Sequence, residues 1–164
     1  MSNSSSIICP ESNVPLADLV FSEFISMSSI FHLKLYAALG TALGFHRDHN
    51  YIHSDNDIDV FCDLLPESLF SFLNQFSVSG FLINTIPGFL KNWNYHLLKS
   101  SILIDLWIKC PLGLRPFYSG NSFFKIRKLS ILSPANIHNY LSLIYSDYSI
   151  PSTLKADCLN NSYL

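Results

Sequence analysis

The sequence predicts a single α+β domain, one mixed β-sheet flanked by helices, and three observations predict it. Apolar residues recur at spacings of three and four from Leu16 to about Phe31, which is the helical period. Short runs that alternate, or that are apolar throughout, fall at 33–39, 57–62, 77–86, 93–99 and 101–109, as strands do. A chain of 164 residues suits one domain and leaves little room for a second.

Taken in order, residues 1–15 read as a polar, poorly ordered arm and 16–157 as the domain, with 158–164 as a tail. In the first helix Leu16, Leu19, Val20, Phe24, Met27 and Phe31 share one face. The segment Leu33 to Leu39 reads as a strand leading into Gly40-Thr41, and a short helix follows from Thr41 to about Arg47. His46 to Ser54 is polar and loop-like, and Asp57 to Cys62 is a strand. Pro66 opens a helix of about ten residues, because proline suits a first helical turn. Ser77 to Ile86 and Trp93 to Lys99 are strands separated by a turn at Pro87-Gly88. Ser101 to Lys109 holds the run Ile102-Leu103-Ile104-Asp105-Leu106-Trp107-Ile108, which reads as a central strand buried on both faces. Phe117 to Ile126 is a loop with a short edge strand. Pro134 to Tyr145 is the last helix, with Ser133 as its N-cap. The chain after Pro151 is irregular, and no internal repeat or low-complexity linker occurs.

Charged residues are only 13%, about half the usual share. The formal net charge is -2 and there is no basic stripe, which argues against nucleic acid as a partner, since phosphate tracking needs clustered Lys and Arg. The small cluster Lys125, Arg127 and Lys128 reads as a solvated strand edge or as an anion contact. Cys9, Cys62, Cys110 and Cys158 form no CxxC pair, so neither a zinc knuckle nor a disulfide framework is expected. With no signal-peptide pattern and no apolar run of membrane-spanning length, a cytoplasmic setting is expected. The apolar content, 49%, leaves a peripheral membrane surface or a protein partner open.

In so charge-poor a chain, the run Asp55-Asn56-Asp57-Ile58-Asp59 stands out. Asp57 and Asp59 are two apart on a strand, so both side chains leave one face. Facing carboxylates repel unless a cation lies between them, and such oxygen ligands suit Mg²⁺ or Mn²⁺. Asp55 either joins them or points to solvent. Asp105, in the middle of an apolar strand, is costly without a partner; a neighbouring strand carrying Asp57 and Asp59 would supply one across a metal ion. Asp105 would then orient or deprotonate an acceptor hydroxyl in metal-assisted phosphoryl transfer. The plainer readings are an exposed acidic turn and a satisfied core aspartate. A calcium loop of the EF-hand type fails, because its glycine would fall at Val60 and its glutamate at Pro66.

Gly40-Thr41-Ala42-Leu43-Gly44 follows a strand and opens a helix, where backbone N–H groups can approach a phosphate. No Gly-Lys-Ser/Thr follows, so this is no Walker motif, and a plain strand-to-helix turn fits the glycines equally. Arg47 either contacts a donor phosphate or is a surface arginine.

Gly40 to Arg47, Tyr51-Ile52 and Asp55 to Asp59 together resemble the signature of the LicD/fukutin-related family: a Gly-Thr-Leu-Leu-Gly-x-x-Arg turn, an aromatic-Ile pair, then a run of aspartates. Asp105 resembles the family's third acidic position, and Pro134, Tyr140-Leu141 and Tyr145 to Pro151 its closing segment. The chain departs from the pattern at His53, Ser54, Asn56 and Ser146. The resemblance implies a nucleotidyltransferase-like fold and transfer of phosphocholine or a sugar-alcohol phosphate. The donor would be CDP-activated and the acceptor a glycan or lipid-linked molecule. It also implies that Gly40, Thr41 and Arg47 contact phosphate, and that Asp57 and Asp59, with Asp55 and Asp105, hold Mg²⁺ or Mn²⁺.

Two other functions fit the same residues: a minimal nucleotidyltransferase that attaches a nucleoside monophosphate, and a non-catalytic partner-binding module. His46, His49 and His53 flank the motif and read chiefly as solvated loop residues, while His32, His96 and His138 have no motif around them. Trp93, Tyr95 and Trp107 read as core before ligand platform, and Phe117, Tyr118, Phe123 and Phe124 as core before lid.

Overall fold

A computed structural model of the chain describes residues 13–53, 55–63, 66–85, 94–108, 113–145 and 147–149. The elements run α1 (Val14–Ser29), β1 (Leu35–Ala37), α2 (Leu39–Arg47), β2 (Ile58–Cys62), α3 (Pro66–Val78), β3 (Leu82–Thr85), β4 (Asn94–Lys99) and β5 (Ile102–Trp107). A single 3-10 turn (Arg115–Phe117), β6 (Phe123–Ile126), β7 (Leu129–Leu132) and α4 (Ile137–Ile144) complete the chain. The seven strands make one sheet in the order β3-β4-β5-β2-β1-β7-β6. The β2–β5 and β1–β7 pairs are parallel, and the other four neighbouring pairs are antiparallel. The mixed sheet with flanking helices in one unit agrees with the sequence expectation.

Alternation along the strands divides the sheet into two unlike faces. Ile58, Val60 and Cys62 of β2, Ile102, Ile104 and Leu106 of β5, and Tyr95 and Leu97 of β4 belong to the main core. The helical period of α1 adds Ala17, Val20, Phe21 and Phe24, and α3 adds Phe72 and Phe76. The other face is only partly apolar. Tyr36, Ala38, Phe61 and Leu132 form a smaller cluster there, with Trp107 and Tyr118 against it. Tyr118 stacks on Phe61 at 4.2 Å between centroids, and Tyr36 donates a hydrogen bond to the Gly120 carbonyl. The same face carries the acidic residues.

Several boundaries differ from expectation. Ser77 and Val78 belong to the end of α3 rather than to a strand. β5 is buried on its Ile102-Ile104-Leu106 side, but Leu103 and Trp107 on the other side are only half-buried. The 117–126 loop is followed by a second strand, β7, which closes a hairpin with β6. α4 starts at Ile137, not Pro134, with Asn136 as N-cap in the left-handed region (φ 48°), a conformation asparagine tolerates. Ser133 is not the cap: its N–H donates to Ser122 O (2.8 Å), and Ala135 N–H donates to Phe117 O (2.6 Å). Helix α1 begins at Val14, just inside the expected arm. The Pro87-Gly88 turn, Trp93, Cys9, Cys110, Cys158 and the chain after Pro151 lie outside the described residues. Cys62 is buried as expected, and burial pushes its thiol up to about 12. Among the described residues no helix is long and apolar enough to cross a membrane.

Candidate metal centre

Asp59 is the best-anchored of the acidic residues. Its position is set by the turn from β1 into α2, which bonds it three times. Ala38 N–H donates to Asp59 O (3.0 Å), Asp59 N–H donates to Thr41 Oγ1 (2.8 Å), and Gly40 N–H donates to Asp59 Oδ2 (3.0 Å). The turn is itself strained: Leu39 has φ 37°, unusual for a branched residue. Tyr140, fully buried on α4, steadies it by accepting from Leu39 N–H (2.9 Å). Glycine at 40 leaves room for the carboxylates, because a Cβ there would overlap Asp55 Oδ2 and lie 3.2 Å from Asp59 Oδ2. At 44 a Cβ would lie 2.6 Å from Asn50 O, where the chain folds back beneath α2. The Gly40-Thr41 pair thus holds a carboxylate, and Gly40 N–H is already engaged there rather than turned to a phosphate.

Asp55, Asp57 and Asp59 come together: one carboxylate oxygen from each lies within 4.8 Å of the others. Opposed ligands of an ion bound at about 2.1 Å stand about 4.2 Å apart, so small rotamer changes would let all three meet one ion. Oxygen-only donors of this kind fit Mg²⁺ or Mn²⁺. Asp105, expected as a further ligand, is not in this three-residue group; it lies beside it, since Asp59 and Asp105 are register partners in the parallel β2–β5 ladder and so face the same way. Asp59 and Asp105 are 7% and 8% exposed, so their charges cannot be dispersed into water. Burial first, then the charges of Asp55 and Asp105, pushes the Asp57 carboxyl up to about 7. Burial, followed by Asp57, Asp105 and Asp55, holds Asp59 well above the usual carboxylate range. A divalent cation would offset the repulsion among these carboxylates and favour their charged forms.

The sequence reading missed two residues of this face. His96, the antiparallel partner of Asp105, places Nε2 2.8 Å from Asp105 Oδ1. Asn94, two residues earlier on β4, donates from Nδ2 to Asp105 Oδ2 at 3.3 Å. Asp105 Oδ2 is therefore hydrogen-bonded from β4, and Oδ1 stands in ion-pair contact with His96. Pairing with Asp105 raises the His96 pKa, which favours the charged imidazole. Asn94-x-His96 in a strand was a legible same-face pair, but only the register reveals what it faces.

Other expected site residues lie elsewhere. Arg47 is at the C-terminal end of α2, seven residues beyond Gly40 and so about 10 Å along the helix. It pairs with Asp48, with Nε–Oδ1 at 2.7 Å and a second contact at 2.6 Å. His46 packs edge-on against His138 at 4.8 Å, and His138 Nδ1 lies 2.7 Å from the Tyr148 hydroxyl. His49 and His53 are exposed or nearly so. Arg127, in the β6–β7 turn, pairs with Asp18 of α1 and donates to Asn50 Oδ1 (2.9 Å), whereas Lys125 and Lys128 are exposed. Phe117 and Phe124 pack inward against Tyr140 and Phe45, and Phe123 is exposed. Compared with known proteins, the chain matches no family model and no curated protein.

Proposed function

We propose that the protein is a metal-dependent transferase of phosphorus-containing groups on a nucleotidyltransferase-like fold. It would move a phosphorylated alcohol, phosphocholine or a sugar-alcohol phosphate, from a CDP-activated donor to a hydroxyl of a glycan or lipid-linked acceptor. The observation that carries this reading is the convergence of Asp55, Asp57 and Asp59 beside Asp105 on one sheet face. The motif resemblance over Gly40 to Asp59 supports the same chemistry and supplies the donor class.

Asp55, Asp57 and Asp59 would hold Mg²⁺ or Mn²⁺, which when bound neutralises phosphate oxygens. Asp59 is kept in place by Ala38, Gly40 and Thr41. Asp105 is kept in place by His96 and Asn94, and is the group suited to orient an acceptor hydroxyl or take its proton.

A mass-spectrometric screen tests the reading. The protein is incubated with Mg²⁺ or Mn²⁺, a mixed glycan and lipid-linked acceptor set, and CDP-choline, CDP-glycerol, CDP-ribitol or nucleoside triphosphates. CMP release with transfer of the head group is the expected result. Pyrophosphate release with nucleotide attachment would point instead to a nucleotidyltransferase. No turnover with any donor, combined with unchanged metal binding in Asp57→Asn and Asp59→Asn, would sink the proposal.

A further inference from the structure

Among the described residues three buried side-chain atoms of this face have no hydrogen-bond partner: Asn94 Oδ1, Asp105 Oδ1 and Trp107 Nε1. Asp105 Oδ1 faces His96 Nε2 at 2.8 Å in an ion-pair contact, which leaves one acceptor and one donor. Asn94 and Trp107 are direct partners in the antiparallel β4–β5 ladder, so their side chains share the face that carries Asp105. Asn94 is 7% exposed, and its Oδ1 is buried without a hydrogen-bond partner among the described residues. Trp107 Nε1 is likewise buried without one among them. The amide orientation is not free to reverse. Asn94 Nδ2 donates to Asp105 Oδ2, and a flip would set the amide oxygen against a carboxylate, which only accepts. The Trp107 side chain packs against the apolar cluster of Tyr36, Ala38, Phe61 and Leu132. Leaving two such buried groups unsatisfied is costly, because the hydrogen bond each loses with water is not replaced by one within the protein.

We infer that Asn94 Oδ1 and Trp107 Nε1 form a subsite for a hydroxyl group of an uncharged polyol or sugar. One hydroxyl satisfies both atoms: its oxygen accepts from Trp107 Nε1–H and its hydrogen is donated to Asn94 Oδ1. A quaternary ammonium group can do neither. Because Asn94 is bonded to Asp105, the bound hydroxyl belongs to an alcohol lying next to the candidate base. The inference rests on the transferase reading for the identity of that alcohol as the acceptor, and on the two orphaned atoms for the subsite itself.

The test is an NMR titration of the full chain with ¹⁵N-labelled tryptophan. The chain has two tryptophans, and Trp107→Phe identifies the Trp107 indole resonance by deleting it. Xylitol added in EDTA tests the acceptor alcohol, and glycerol 3-phosphate with Mg²⁺ tests the alcohol of a donor. A saturable shift of the Trp107 indole with either probe, absent in Asn94→Leu and retained in Asp57→Asn for xylitol, supports the subsite and says which alcohol fills it. Hydrogen exchange of the Trp107 indole N–H in the unsubstituted protein gives a second readout, should Asn94→Leu fail to fold; bound polyol should slow it at least several-fold. An indole that ignores both probes, or responds equally to tetramethylammonium, overturns the proposal and leaves only a bridging water. Mg²⁺ titration of the same samples reports separately on the carboxylates, so loss of one reading leaves the other standing.

Discussion

Gly40→Ala separates the role of the glycine turn from its contribution to stability. In an ordinary helix the substitution would stabilise by about 1 kcal/mol. Here the new methyl overlaps Asp55 Oδ2 and comes within 3.2 Å of Asp59 Oδ2. Asp59 cannot retreat easily, because Ala38, Gly40 and Thr41 all bond it. Asp55 can, because the offending atom is the end of a side chain on a loop. Its carboxylate must move by about 1 Å or more to reach ordinary van der Waals separation, and in moving it leaves the three-oxygen cluster. The expected outcome is a melting temperature within a few degrees of the parent protein and a 10- to 100-fold weaker affinity for Mn²⁺, the size of loss typical when the support of a metal ligand is disturbed. Isothermal titration with Mn²⁺, without nucleotide, measures the affinity, and Asp55→Asn should weaken it to a similar degree. If Gly40→Ala binds Mn²⁺ like the parent while Asp55→Asn does not, the steric argument is wrong. If neither affects Mn²⁺, Asp55 is no ligand.

The remaining predictions concern the charges and their supports. Because Asp57 is raised to about 7 and Asp59 is held well above the usual carboxylate range, the folded metal-free protein holds protons that the unfolded chain releases near pH 4, so stability should fall as pH rises from about 4 to 7; denaturant melts in EDTA should show this, and saturating Mg²⁺ should flatten it. Asp59→Asn keeps an acceptor for Gly40 N–H but removes a buried charge, so it should raise the melting temperature in EDTA and abolish the rise caused by Mg²⁺; a lower melting temperature in EDTA would count against repulsion as the dominant effect. Thr41→Val deprives the buried Asp59 N–H of its acceptor and should cost about 1–3 kcal/mol in urea melts, with Thr41→Ser close to the parent. Water-proton relaxation with bound Mn²⁺ should report at least two inner-sphere waters, since three carboxylates fill only part of an octahedron; none would mean a closed structural ion.

The sequence made part of this legible, and physics explains the division. Asp57 and Asp59 were placed together by a two-residue spacing on a strand; the strand in fact begins at Ile58, and Asp57 meets Asp59 from the bend just before it. Asp105 was legible because an ionisable group within an apolar run needs a partner. That the strand carrying Asp57 and Asp59 neighbours Asp105 was inferred, but the pairing of Asp59 with Asp105 and of His96 with Asp105 was not. Both are facts of register, which is set between segments far apart in the chain. The β6–β7 hairpin escaped for a different reason. Its turn contains no glycine, proline or asparagine, and Arg127 takes φ 53° there. What holds that residue is its pairing with Asp18 and Asn50, contacts that reach across 109 and 77 positions. Ser77-Val78 read as strand from residue type, whereas Phe72 and Phe76 bury at helical spacing and carry α3 through to Val78. Arg47 matched its motif by spacing, yet nine residues of helix turn spacing into distance and leave it at the far end.

The arrangement of supports bears on whether the carboxylates serve chemistry or only structure. A purely structural ion is best enclosed by ligands from several elements, which closes its coordination and ties those elements together. Here Asp55, Asp57 and Asp59 come from one five-residue stretch and approach from one side. The fold gains little cross-linking from an ion held in that way, while it bears the repulsion of buried charges when the ion is gone. Asp105, on a different strand, would be the natural closing ligand, yet both of its oxygens are turned to partners on β4, His96 at 2.8 Å and Asn94 at 3.3 Å. On the proposed reading, a carboxylate held from β4 beside an ion with open positions would be placed to act on an arriving group, and Asn94 Oδ1 and Trp107 Nε1 lie on the same side of the sheet. An ion held in this way would suit an open centre better than a structural clasp.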